Sequence, residues 1–170
     1  AHGRLWFQVP ESMRIELSGR LAPGVSAKDL VLQIVRQVTA RGAQYASIEY
    51  HGEALEHLGI AERMTLCNMG VEMGAKFAVV PADGVTRAHY RSIGIEIGET
   101  VRPDPDAPYT SVLRVDAGRV EPLVSAPNKV DNVHPVSQFA GVRIHQAFLG
   151  TCTNGRYEDL AVAAQMLRGR

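Results

Sequence analysis

The sequence has no excess of either charge, because 18 Lys and Arg residues balance 18 Asp and Glu residues over 170 positions. A net charge of zero gives no indication of the basic surface that binds nucleic acid or an anionic membrane. No apolar stretch approaches the roughly 18 residues needed to cross a bilayer, and the N-terminus lacks a signal-peptide pattern. These absences predict a soluble protein of the cytoplasm that binds neither nucleic acid nor membrane.

Cysteine and aromatic residues are also scarce. The two cysteines, Cys67 and Cys152, are too few for a disulfide framework, and we expect both to stay reduced. Aromatic residues make up 6% of a chain that is 45% hydrophobic, which favours an aliphatic core of helices on a parallel sheet. The chain has no GxxxxGK or GxSxG motif and no histidine pair at i, i+4, which weighs against nucleotide, serine-hydrolase and all-histidine metal sites.

The spacing of apolar residues predicts alternating strands and helices in the first half of the chain. Residues 5–9 and 13–17 are predicted to be strands around a proline turn. A helix is expected to start after Ser26, where Asp29 completes a capping box, and to end near residues 41–42. The next predicted elements are a strand in QYASIEY, one or two helices over 53–76 broken near Gly59, and a buried strand over 77–80.

The pattern in the second half of the chain predicts a domain boundary. A short helix is predicted to end at Gly94, and it is followed by an irregular segment, by strand–turn–strand over 109–124, and by a stretch with linker composition over 125–141. A new βα unit follows, with RIHQAFLG as strand, TCTNG as turn and a helix from Arg156. We place the boundary between about Val124 and Val136, which predicts one α/β domain at 1–125 and, at 126–170, a linker with the first βα unit of another.

The string FLGTCTNGR places a thiol in the predicted strand-to-helix turn. Thr153 or Asn154 is expected to cap the following helix, with Glu158 and Asp159 in its first turn. Cys152 would then lie near a helix N-terminus, a position that favours the thiolate. Three interpretations stay open from the residues alone: a metal or cluster ligand, a nucleophile, and a buried structural thiol.

A second string, MTLCNMGVEMGAK, contains two polar residues in small and apolar surroundings. Asn68 and Glu72 are four residues apart, so on a helix they would share one face, with Thr65 one turn earlier. The pair is interpreted either as a site or as the solvated edge of a packed helix. Cys67 lies one residue off that face, and we expect it to be buried.

These strings resemble one family. FLGTCTNGRYEDL, MTLCNMGVEMGAK, APGVSAKDLVLQIV, SIEYHG and HGRLWFQVPESMRIELSG are similar to the large (catalytic) subunits of 3-isopropylmalate dehydratase and homoaconitase, members of the aconitase superfamily. The resemblance runs in the family's order along the whole chain and matches the middle of the family's sequence. It implies an α/β fold, a three-layer α/β/α domain with a mostly parallel sheet, and the start of a second similar domain.

The resemblance implies a hydro-lyase with a [4Fe-4S] cluster. Three cysteine thiolates hold such a cluster, and its open iron acts as a Lewis acid on a 2-hydroxy di- or tricarboxylic acid. Cys152 matches the first of the three cysteine ligands. Asn68 and Glu72 match the family's catalytic Asn and Glu beside the cluster, where the carboxylate hydrogen-bonds to the oxygen held there. A small, swivelling subunit is the implied partner.

The chain departs from the family pattern in having one cluster cysteine and not three. The other two ligands belong to a CxxC string that this chain does not contain, so we expect the isolated chain to be an inactive piece of a longer enzyme. The CTNGR form favours isopropylmalate, in leucine biosynthesis, over homocitrate, in lysine biosynthesis. Two other hypotheses remain: a stand-alone binding module without iron, and a thiol enzyme that uses Cys152 with His145.

Overall fold

A computed structural model describes residues 2–169 of the chain. Its strands are β1 (Ser12–Ser18), β2 (Ser47–His51), β3 (Phe77–Val79), β4 (Ser111–Asp116), β5 (Leu123–Ser125) and β6 (Val133–Pro135). Its α-helices are α1 (Ala27–Val38), α2 (Ile60–Asn68), α3 (Gly84–Ser92), α4 (Thr151–Asn154) and α5 (Tyr157–Leu167). Short 3₁₀ helices cover Glu53–His57 and Met69–Met73. Within residues 2–169, no helix is long and apolar enough to cross a membrane.

Four strands form one parallel sheet in the order β3–β2–β1–β4. In the central register, Ile15 lies between Tyr50 on β2 and Leu113 on β4. The chain winds outward from β1 to β3 and then crosses back to place β4 on the other side of β1, the doubly wound arrangement. The prediction of an α/β fold with a mostly parallel sheet flanked by helices is confirmed.

The core lies between this sheet and helices α1 and α2. Met13, Ile15 and Leu17 alternate with polar residues along β1, so their side chains share the face that the helices cover. Tyr50 is fully buried there, and its hydroxyl donates a 3.1 Å hydrogen bond to the carbonyl of Leu66 on α2. Burial raises the pKa of Tyr50 well above its usual range. The alternation along β1 therefore gives the sheet an apolar face, and α1 and α2 pack against that face.

The capping box predicted for α1 is present. The Asp29 carboxylate accepts 2.8 Å hydrogen bonds from the backbone N–H and the hydroxyl of Ser26. Its other oxygen accepts the backbone N–H of Leu123, also at 2.8 Å, and so ties the start of α1 to β5. The helix ends at Val38, earlier than residues 41–42, because Thr39 adopts a positive φ of 68° that a helix cannot continue.

The segment predicted to be a linker contains a strand. β6 pairs antiparallel with β5, and both strands contact α1. The carboxylate of Asp131, in the connection between the two strands, accepts the backbone N–H of Ala40 at 2.9 Å. A three-residue strand of mixed composition gives no periodic signal, so its pairing was not visible in the sequence. The domain boundary between 124 and 136 stays a prediction, and this hairpin joins residues on both sides of it.

Three predicted strands differ from the structure. Residues 5–9 and 143–150 form no strand, and neither segment pairs with a described strand. β3 is an edge strand and not a buried one, with Phe77 45% and Val79 46% exposed. Apolar strings alone do not distinguish a strand with two neighbours from one with a single neighbour or none.

An ion pair between a buried arginine and a partly exposed aspartate joins α2 to α3. The guanidinium of Arg63, which is 3% exposed, donates to both carboxylate oxygens of Asp83 at 2.7 and 2.8 Å. It also donates to the carbonyls of Leu55 and Leu58, at 2.7 and 2.9 Å. Asp83 is itself the N-cap of α3 and accepts the backbone N–H of Thr86. One arginine of α2 thus satisfies acceptors of two neighbouring elements, the end of the 3₁₀ helix Glu53–His57 and the start of α3.

Candidate functional site

Cys152 lies in α4, a helix of four residues between Gly150 and Gly155. The predicted turn is therefore a single helical turn, and the thiol is exposed on it. α4 starts at Thr151, whose φ is 70°. A β-branched residue in the left-handed region is strained, and such strain persists only where surrounding contacts impose it.

Those contacts come from α2, far away in the sequence. The side-chain amide of Asn68 donates a 2.8 Å hydrogen bond to the carbonyl of Cys152, across 84 residues of sequence. One turn earlier, the hydroxyl of Thr65 donates to the carbonyl of Thr153 at 3.1 Å. The structure therefore brings together the CNMG and CTNGR strings that the sequence analysis considered separately.

Two basic residues complete the contacts of the α4 loop, residues 150–156. Lys28, at the start of α1, donates to the Thr153 hydroxyl at 3.4 Å and to the Asn154 side-chain oxygen at 3.3 Å. Arg156 donates to the hydroxyl of Thr65 at 3.3 Å. Neither residue was selected from the sequence, because contacts over 125 positions leave no periodic signal. The sequence indicated only that each of these residues is a cation, Lys28 in the string SAKD and Arg156 in the string CTNGR.

The cap of α5 also differs from the expectation. Thr153 and Asn154 do not cap this helix, since both bond to other elements. Arg156 is the N-cap residue, and its backbone N–H donates to the carboxylate of Asp159 at 3.1 Å. Glu158 and Asp159 do lie in the first turn of α5, as predicted.

Glu72 does not share a helix face with Asn68. α2 ends at Asn68, and Glu72 follows in the 3₁₀ helix Met69–Met73. A 3₁₀ helix turns about 120° per residue and an α-helix about 100°, so the four-residue spacing no longer aligns the two side chains. Glu72 is exposed, and its carboxylate makes no hydrogen bond or ion pair to any residue between 2 and 169.

The second cysteine lies in a different environment from the first. Cys67 is half-buried in α2, where full burial was expected. Burial raises the pKa of its thiol to about 11, so it is neutral at neutral pH. His145 is exposed, and within the described part of the chain it forms no hydrogen bond to Cys152, so no Cys–His pair for a thiol enzyme is present.

A groove of about 930 Å³ runs beside the α4 loop, where α1 and α2 begin. These two helix starts follow the carboxyl ends of β1 and β2, the edge at which doubly wound sheets bind ligands. Basic and acidic side chains both line the groove, namely Lys28, His89 and Arg156 with Glu62, Glu158 and Asp159. Apolar side chains, among them Ile60, Met64 and Val162, line the rest of the groove. The groove is therefore suited to a small molecule that carries both polar and apolar groups.

The residues present fit one ligand of an iron–sulfur cluster. Cys152 offers an exposed thiol on a short loop whose carbonyls are held from a neighbouring helix. Among residues 2–169, no group of three or more His, Cys, Asp or Glu side chains is arranged to hold a metal ion. The described residues therefore provide a single attachment point and not a complete ligand set.

Comparisons with known proteins cover the whole chain. The 3-isopropylmalate dehydratase large subunit 1 of Methanopyrus kandleri is 48% identical over 169 residues, which are 99% of this chain and 40% of the relative. The probable methanogen homoaconitase large subunit of Methanosarcina mazei is 47% identical over 100% of this chain and 44% of its own. The homoaconitase large subunit of Thermus thermophilus is 47% identical over 100% of this chain and 40% of its own.

The chain thus spans about two fifths of the length of these relatives. The family model that matches it describes the aconitase family (aconitate hydratase), and the match extends over residues 1–170. Both strings that meet at the α4 loop lie inside this match. The resemblance seen in the sequence is confirmed, and the chain belongs to the aconitase family.

Proposed function

We propose that this chain is part of the large subunit of a [4Fe-4S]-dependent hydro-lyase that isomerises a 2-hydroxy acid by dehydration and rehydration. The observation that carries the proposal is the 2.8 Å hydrogen bond from Asn68 to the carbonyl of Cys152, which joins the family's two characteristic strings. The first candidate activity is that of 3-isopropylmalate dehydratase, and homoaconitase is the second. Relatives with both names match the chain at nearly equal identity.

The residues of this chain would have separate roles in such an enzyme. The thiolate of Cys152 would be one of three ligands of the cluster, whose open iron supplies Lewis-acid chemistry to a bound hydroxy acid. Asn68 holds the backbone of the ligand loop. Glu72 offers an exposed carboxylate beyond the end of α2, free to exchange a proton with a substrate hydroxyl. In this proposal the two further cysteine ligands lie elsewhere in the complete protein, so the isolated 170 residues are inactive.

The partner in this proposal is a small subunit, since the relatives are named large subunits. It would contribute the remaining groups that bind the substrate carboxylates. We place the enzyme in the cytoplasm, because both cysteines are free thiols, and a cluster ligand has to remain reduced until the metal binds.

The direct test is an assay of the full-length large subunit together with its small subunit, reconstituted anaerobically with iron and sulfide. We expect turnover of 3-isopropylmalate with a higher kcat/KM than that of homocitrate. The reverse preference would assign the second candidate. If the complex binds a cluster but turns over neither acid, the substrate class is wrong. A full-length protein that takes up no iron would favour the non-catalytic binding module.

A Glu72→Gln substitution tests the proposed proton-transfer role in the same complex. Because the exposed carboxylate makes no hydrogen bond or ion pair to a described residue, the variant should fold and keep its cluster, while kcat falls by roughly a hundredfold or more. The measurement is kcat together with iron content per protomer. Glu56→Gln, an exposed glutamate of the 3₁₀ helix Glu53–His57, is the matched control and should be indistinguishable from wild type. A normal rate in Glu72→Gln would remove this residue from the mechanism.

A further inference from the structure

The α4 loop cannot hold its own shape. A helix of four residues closes too few hydrogen bonds to offset the cost of its nucleation. Its first residue, Thr151, also has a strained positive φ. The geometry that presents Cys152 therefore depends on contacts made by other elements.

Thr65 is a point at which two of these contacts meet. Its side chain is buried, with the residue only 5% exposed. Its hydroxyl lies 3.2 Å from the carbonyl of Ala61, the usual back-bond of a helical threonine. The same hydroxyl lies 3.1 Å from the carbonyl of Thr153 and 3.3 Å from the guanidinium of Arg156. One buried hydroxyl thus contacts the loop on both sides of Gly155.

We propose that Thr65 is a positioning residue for the cysteine ligand. Its hydroxyl fixes the α4 loop through the Thr153 carbonyl on one side and the Arg156 guanidinium on the other. The inference rests on the proposed function, because it gives Cys152 a cluster to bind. Among residues 2–169 the Thr65 hydroxyl hydrogen-bonds only to α2 and to the loop, and it acts through the position of the backbone beside the thiol.

Lys28 supplies a second, independent anchor from α1. Its ammonium group reaches the side-chain oxygens of both Thr153 and Asn154. These contacts, at 3.3 and 3.4 Å, are longer than the 3.1 Å contact of Thr65 with the Thr153 carbonyl, and Lys28 is only half-buried. Between Thr65 and Lys28 we therefore assign the larger share to the buried hydroxyl, because hydrogen bonds in a low-dielectric environment are stronger.

A matched pair of substitutions, Thr65→Val and Thr65→Ser, isolates the hydroxyl in the full-length protein. Valine keeps the β-branched shape and removes the hydroxyl, whereas serine keeps the hydroxyl and removes the methyl group. In the metal-free protein we expect amide hydrogen exchange at residues 151–156 to be roughly fivefold faster in Thr65→Val. Exchange in β1, β2 and α1 should be unchanged, and Thr65→Ser should behave like wild type.

The reconstituted protein provides the second readout. An excess of iron chelator is added, and the loss of the cluster is measured by the decrease in its visible absorbance. This loss should be about fivefold faster in Thr65→Val and normal in Thr65→Ser. Unchanged exchange at 151–156 would overturn the proposal. So would a uniform increase over the whole sheet, since that indicates lost global stability and not lost positioning.

Two further outcomes separate this inference from the proposed function. If Thr65→Val does not fold, Arg156→Met is the alternative variant, because it removes from the loop the guanidinium that contacts the Thr65 hydroxyl. Unaltered exchange at 151–155 in that variant would also overturn the proposal. If the wild-type protein binds no cluster, the proposed function fails while the exchange measurements on the metal-free protein still decide the role of Thr65.

Discussion

The Cys152→Ser variant of the full-length protein is expected to retain no stable cluster and no activity, while its fold is unchanged. Serine is a poor ligand for the iron of a cubane cluster, and the remaining cysteines cannot replace a ligand held on a different loop. The thiol is exposed and outside the core, so the free energy of unfolding of the metal-free protein should change by less than about 0.5 kcal/mol. Iron and sulfide content after anaerobic reconstitution is the measurement.

The chain contains its own control for this experiment. Cys67→Ala removes the half-buried thiol of α2, which is neutral at neutral pH because burial raises its pKa to about 11. This variant should keep full cluster content and activity. Loss of the cluster in Cys67→Ala but not in Cys152→Ser would reverse the ligand assignment. Equal retention in both variants would show that neither cysteine is a ligand.

Removing the carboxylate of Asp83 is expected to produce the largest loss of stability among the described polar contacts. Asp83→Asn leaves the guanidinium of Arg63, 3% exposed, without a negative partner. Because the Asp83 side chain is 38% exposed, water offsets part of this loss, and we expect a cost of about 2 kcal/mol. Asparagine is as good an N-cap as aspartate, so the cap of α3 is kept. Glu96→Gln, which breaks the exposed pair with Arg91, should cost less than about 1 kcal/mol. Urea unfolding of the full-length protein gives both values.

The same ion pair predicts a dependence of stability on pH. The hydrogen bond from Arg63 lowers the pKa of Asp83, with further help from the N–H groups of Thr86 and Val85, against the opposing effect of burial. In the unfolded chain the pKa of an aspartate is about 3.9. The stabilisation by the ion pair is therefore complete above that pH, and it disappears as the pH falls through the lower pKa that Asp83 has in the folded protein. Wild type and Asp83→Asn should therefore converge in stability in acid. A constant difference down to about pH 2 would contradict the assigned cause.

Local rules predicted the parts of the fold whose signals lie within one element. The capping box of Ser26 and Asp29 starts α1 as expected, and the break near Gly59 separates α2 from the preceding 3₁₀ helix. Each of these features depends on neighbours three or four positions away. The alternation of apolar and polar residues along β1 is also a local signal, and it predicted which face of the strand is buried.

Contacts between distant segments could not be predicted in this way. The strands expected over 5–9 and 143–150 are absent because pairing depends on a neighbour that local pattern does not specify. Asn68 and Glu72 were placed on one face by α-helical geometry, and the change to a 3₁₀ helix after Asn68 rotates Glu72 away. Cys152, Asn68 and Glu72 were singled out from the residue pattern and given roles through the family resemblance, and of these the structure brings Cys152 and Asn68 into contact.

The 84 residues between Asn68 and Cys152 also set an order of events during synthesis. At about 5–20 residues per second, the ribosome adds the cysteine roughly 4 to 17 seconds after the asparagine that holds its carbonyl. β1, α1, β2 and α2 are all synthesised by then. Helices form in about a microsecond, and small domains of mixed α and β structure fold within roughly a second. We therefore expect the surface that receives the loop to be formed when the thiol leaves the ribosome.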